Sequence, residues 1–160
     1  MVDDHRFEFE PGDRVCLLGD ETGQLTIQVL SRSAELDFWD GNWLDCNILI
    51  EAGGFRATFN ANLRTDELER FFLDVKILYG SLRGEAIFDS MEEQLYICLK
   101  GDGLGHITAE GVARDRPGTG NELKFVLELD QTHLFGTMSQ LSELLNRFPV
   151  RDRDSANRST

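Results

Sequence analysis

The chain is 160 residues long, and its 16 Lys+Arg stand against 29 Asp+Glu for a formal net charge of -13. So acidic a balance excludes a general basic footprint for a phosphate backbone and attraction to an anionic membrane surface, and it makes a basic protein the natural macromolecular partner. The length suits one domain able to bury roughly 70% of the surface its unfolded chain exposes, and 41% apolar residues exclude a disordered acidic tail.

In chain order, the opening MVDDHRFEFEPGD has no basic stretch leading into an apolar core, and no later apolar run reaches the length of a membrane span. A cytoplasmic location is therefore expected, with residues 1–13 as a flexible N-terminal segment. From Arg14 the pattern has period two. Arg14–Gly19 is a first strand, and Leu25, Ile27 and Val29 then alternate with Gln24, Thr26 and Gln28. Leu44, Cys46, Ile48 and Ile50 alternate with polar residues, with Leu49 the exception; Phe55, Ala57, Phe59, Ala61 and Leu63 alternate with Arg56, Thr58, Asn60 and Asn62. Ala52-Gly53-Gly54 reads as the tight turn between these two runs.

Thr65 is the expected N-cap of a first helix, with Asp66, Glu67 and Glu69 in its first turn, a stripe of Leu68, Phe71, Phe72, Val75, Leu78 and Tyr79, and Gly80 as its stop. Strands resume at Arg83–Phe88, then at Leu95, Ile97 and Leu99, at Ile107, Ala109, Gly111 and Ala113, and at Leu123, Phe125, Leu127 and Leu129. A second helix is expected from Thr137, with Gln140 completing a capping box, Leu141, Leu144, Leu145 and Phe148 on one face, and Pro149 as terminator. Residues 150–160 read as a disordered tail. Strict alternation belongs to antiparallel strands with one wet face. The prediction is therefore one α+β domain over 14–149: a single antiparallel meander sheet of about eight strands with two helices packed on one face. No internal sequence repeat divides it.

Catalytic chemistry finds little support. His5, His106 and His133 are spaced in no metal-binding pattern, and Cys16, Cys46 and Cys98 form no CxxC pair, so they read as reduced, buried thiols. His106 beside Asp102 could suggest a general base, but a histidine at a strand start more often serves the turn before it. Gly101-Asp102-Gly103-Leu104-Gly105 precedes a strand and not a helix, so it cannot cradle a phosphate as a helix N-terminus does. No catalytic residue, metal or cofactor is expected.

One segment is over-furnished for a loop. Glu35 to Asp45 holds both tryptophans, Trp39 and Trp43, with Phe38, Gly41 and the acids Glu35, Asp37, Asp40 and Asp45. Two readings coexist. The aromatic residues can anchor the loop to the core. Alternatively, Glu35, Asp37, Trp39, Asp40, Trp43 and Asp45 form a contact patch for a basic partner, since Trp is enriched at interface hot spots. A second candidate surface is the polar sheet face of Arg56, Thr58, Asn60 and Asn62 with Glu122, Lys124, Glu128 and Asp130.

Phe38-Trp39-Asp40-Gly41-Asn42-Trp43-Leu44, the strand leading into Ala52-Gly53-Gly54-Phe55, Asp66-Glu67-Leu68, Gly105-His106-Ile107 and Leu127-Glu128-Leu129-Asp130-Gln131-Thr132 carry a resemblance. Over residues 20–135 the chain resembles small bacterial immunity proteins of wall-associated and rearrangement-hotspot toxins, and related uncharacterised families. The resemblance implies a cytoplasmic, non-enzymatic antidote that binds and blocks a toxin domain delivered by a competing cell. It implies no individual contact residue, because such families diversify there. The competing expectation is a small-molecule-binding domain or unrecognised enzyme with a cavity between sheet and long helix, lined by Phe55, Phe59, Phe71 and Phe72.

Overall fold

A computed structural model describes residues 14–151. Residues 1–13 and 152–160, which hold the expected N-terminal segment and nearly all of the expected tail, lie outside the described residues. The alternating runs form β1 (Arg14–Asp20), β2 (Gly23–Arg32), β3 (Trp43–Ala52) and β4 (Phe55–Arg64), followed by helix α1 (Thr65–Ser81). Then come β5 (Arg83–Asp89), β6 (Leu95–Asp102), β7 (His106–Arg114) and β8 (Glu122–Asp130), followed by α2 (Gln131–Arg147).

The strands do not build the expected single sheet of eight. They form two antiparallel four-stranded sheets, ordered β1-β2-β3-β4 and β5-β6-β7-β8. The reason is coverage. Eight strands side by side would span about 38 Å, whereas two helices each about 10 Å across cover only about half of that apolar face. With α1 carrying the chain from one sheet to the next, both inner faces and both helices instead contribute to one continuous core. The alternation itself holds: β3 buries Leu44, Cys46, Ile48 and Ile50, and turns Asp45, Asn47, Leu49 and Glu51 outward.

The order ββββα occurs twice, a duplication that no sequence repeat announces. Buried Leu68, Phe71, Val75 and Leu78 of α1 correspond one for one, at constant spacing, to Leu134, Thr137, Leu141 and Leu144 of α2. The first amide of each helix donates to the carbonyl just before the third strand of its unit, Thr65 to Asn42 at 2.9 Å and Gln131 to Gly105 at 3.1 Å. Each helix also crosses to the other unit: α1 packs on β5, α2 on β1, and the two on each other. The units differ in the lengths of their connections, most of all in the second. Residues 33–42 join the second and third strands of the first unit, where residues 103–105 suffice in the second.

Both helix starts differ from the expected ones. Arg64, not Thr65, is the cap of α1, and its side chain makes no capping bond. Helix α2 begins at Gln131, capped by Asp130, whose Oδ1 accepts the Thr132 and His133 amides at 2.8 and 3.1 Å, while His133 Nδ1 accepts the Asp130 amide at 3.2 Å. Thr137 lies inside the helix because its buried hydroxyl finds another partner, donating to the Leu17 carbonyl of β1 at 2.6 Å.

Candidate functional site

Residues 33–42 form the longest connection between paired strands among the described residues. The loop turns tightly on Asp37, whose Oδ1 accepts the Asp40 amide at 2.6 Å and whose carbonyl accepts the Gly41 amide at 3.0 Å. Gly41 has to be glycine: a Cβ there would lie 2.3 Å from the Asp37 carbonyl oxygen and 2.6 Å from that of Glu35.

Three guanidinium groups hold the loop from beneath. Arg64 ends β4 on its outward face, in register with Trp43, yet is only 1% exposed because the loop folds over it. Its Nη2 donates to the Phe38 carbonyl at 2.9 Å, its Nη1 donates to the Trp39 carbonyl, and its Nε meets Asp66 Oδ1 at 2.9 Å. The same group stands 5.0, 5.5 and 5.8 Å from the ring centroids of Trp43, Phe38 and Trp39, within cation–π reach. Arg32 donates to the Gly41 carbonyl at 3.1 Å and to Asn42 Oδ1 at 3.1 Å. Arg151 Nη1 donates to the carbonyls of Ser33 and Gly41 at 3.0 and 3.1 Å and to that of Glu35. Burial, with Arg151 as a like charge nearby, holds Arg32 below its ordinary pKa.

Asn42, wholly buried, joins these parts. Its Oδ1 accepts the Thr65 hydroxyl and the Arg151 amide, each at 2.8 Å, and its Nδ2 donates to the carbonyls of Phe38 at 2.9 Å and Arg151 at 3.0 Å. The loop is thus cationic underneath and acidic on top. Glu35 and Asp40 are exposed, Asp37 is half-buried, and Trp39 is 59% exposed beside exposed Leu36.

Of the expected patch, Glu35, Asp37, Trp39 and Asp40 share the loop. Trp43 is half-buried under Arg64, and Asp45 sits on the outward face of β3, accepting the Ser31 hydroxyl at 2.8 Å. All three aromatic rings thus border Arg64, with Phe38 and Trp43 half-buried and Trp39 largely exposed. Sequence reasoning missed Arg32, Asn42, Arg64 and Arg151, because polar residues at strand ends and past Pro149 carry no periodic signal. Arg151 in particular falls in the expected tail, yet it is docked under the loop.

Elsewhere the expected candidates separate. The polar face divides between two sheets, with Arg56, Thr58, Asn60 and Asn62 on β4, and Glu122, Lys124, Glu128 and Asp130 on β8. The His106 ring lies 2.6 Å from Glu128, while Asp102 accepts the His106 amide at 3.2 Å and the Leu104 amide at 2.7 Å, so Asp102 serves the turn. Cys46 and Cys98 are buried and Cys16 partly so; burial, with Asp45 nearby, pushes the Cys46 thiol up to about 12. The four phenylalanines expected to line a cavity are dispersed. Phe71 is fully buried edge-on against Phe88 at 5.7 Å, Phe59 and Phe72 pack at the core margin, and Phe55 is exposed at the β3–β4 turn.

A protein family described as the immunity protein WapI-like family matches residues 16–149, from β1 through α2. The chain belongs to that family. No curated protein matches it. In this WapI-like chain the match spans both ββββα units and the whole aromatic loop, and it stops just short of Arg151, whose side chain lies under that loop. Membership points to a toxin as the partner in general terms and leaves its chemistry to the surface just described.

Proposed function

We propose that this chain is a non-enzymatic antidote, acting in the cytoplasm, that neutralises a basic toxin domain by binding it through the loop at 33–42. The observation that carries the reading is the loop's construction within a WapI-like chain. The second unit makes the same connection with residues 103–105, so the fold does not require the longer one. Three arginines nevertheless hold it in one shape, and its exposed side is Trp39 among Glu35, Asp37 and Asp40. Preorganisation of this kind lowers the entropic cost of association. An exposed indole among carboxylates suits a hot spot against a cationic surface, and a net charge of -13 steers such a surface inward.

The test replaces residues 34–41 by a short glycine turn like that at 103–105. The parent chain captures the toxin domain encoded beside its gene, with an association rate that falls about tenfold from low to high salt. The shortened chain folds and captures nothing. If the shortened chain still protects against the toxin, the loop is not the anchor; if the parent captures no neighbouring toxin, the immunity reading fails.

A further inference from the structure

We propose that a hollow beside Glu67 receives a basic side chain, guanidinium or ammonium, of the bound protein, an inference that rests on the immunity reading above. The hollow has a volume of about 190 Å³ and lies between the first turns of α1 and the end of β5, lined by Glu67, Arg70, Asp74, Ile87, Phe88 and Asp89. It is smaller than sites for small organic ligands, which begin near 300 Å³. One long side chain is what it accommodates.

Glu67 is the observation that points to a ligand. It is only 6% exposed; Oε1 accepts the Met91 amide at 2.9 Å, but Oε2 is buried with no hydrogen-bond partner among the described residues. Leaving a buried carboxylate oxygen unpaired is costly, so such a group calls for a donor. Asp74 and Asp89 line the same hollow, and its one cation, Arg70, stands 3.8 Å from Asp66. Among the described residues no group of His, Cys, Asp and Glu is arranged to hold a metal ion, so the complementary ligand is an organic cation.

The duplicated architecture shows what is missing. Glu67 and His133 occupy the same third position of their helices, and each reaches the first turn of the other unit. His133 finds a charged partner there, Asp20 Oδ2 at 2.8 Å. In the other unit Glu67 meets the Met91 amide and, among the described residues, no charged partner. The hollow also continues the proposed interface, since Asp66 links Arg70 to Arg64, which clasps the loop.

The probe is acetyl-arginine amide, titrated into the 160-residue chain and followed by amide resonances, with sodium chloride at equal ionic strength as control. The expected result is movement of the Ile87, Asp89 and Met91 resonances by the amide alone. Affinity should fall at least threefold in Glu67→Gln and in Asp74→Asn, the latter at an exposed position that the fold does not need. Resonances that stay still, or that move equally in both variants, overturn the proposal. Neither result depends on capture of a toxin domain, so failure of the immunity reading is seen separately.

Discussion

Asn42 and Arg151 meet as two strands of a ladder would: the Asn42 amide side chain accepts the Arg151 backbone N–H at 2.8 Å and donates to the Arg151 carbonyl at 3.0 Å. One side chain thereby ties the end of the loop to chain 109 residues away. Asn42→Ala leaves the Thr65 hydroxyl, the Arg151 amide and the Phe38 carbonyl without that partner, and should cost about 3 kcal/mol. Thermal unfolding should show it as a fall of roughly 6–12 °C. A chain ending at Pro149 should fall similarly, although it keeps the whole family match; unchanged melting in both would refute this role.

Arg64 is the buried charge on which the loop closes. Arg64→Ala strands two loop carbonyls and Asp66, a loss of about 3–5 kcal/mol. Arg64→Lys should recover little, because an ammonium cannot reach two carbonyls and a carboxylate with the planar geometry of a guanidinium. Both tryptophans of the chain border this group, so their fluorescence should shift to the red in each variant.

Gly41→Ala tests preorganisation apart from stability. The added methyl displaces the Asp37 and Glu35 carbonyls and crowds the Arg151 side chain, a local effect costing about 1–3 kcal/mol. Partner affinity should therefore fall by more than tenfold while far-ultraviolet circular dichroism stays unchanged. Equal affinity would mean that the loop's shape does not matter to binding.

Burial pushes the Glu67 carboxyl above its ordinary value of 4.5; the amides of Met91 and Arg64 oppose this, Asp66 adds to it, and the Arg64 guanidinium opposes it. Arg70, Asp74 and Asp89 are the other charged groups around the hollow. A raised folded-state pKa means that the stability contributed by protonated Glu67 is fully present below about pH 4.5 and lost as pH rises through the folded value. Glu67→Gln abolishes that loss. The variant should melt a few degrees higher than the parent at pH 7, corresponding to about 1 kcal/mol, and the difference should vanish near pH 4. A variant less stable at pH 7 would show that the carboxylate is needed by the fold itself.

Strand positions were legible in the sequence because burial on one face of an antiparallel strand imposes period two, which Phe55 to Leu63 displays residue by residue. The stripe of α1 was legible for the corresponding helical reason. Its cap was not, since Thr65 has the composition of a cap yet spends its hydroxyl on Asn42. The start of α2 was misplaced for the same reason, Thr137 having a buried partner in β1.

By itself, then, the sequence determined the number of strands, their faces, the two helices and the acidic aromatic segment, all of which depend on neighbours along the chain. Tertiary structure alone decided that the strands part into two sheets, that the ββββα unit recurs, and that Arg32, Arg64 and Arg151 meet beneath one loop. Those outcomes depend on how apolar faces cover one another and on where buried charges find carbonyls. Such partners lie far apart in the chain, and no local pattern records them.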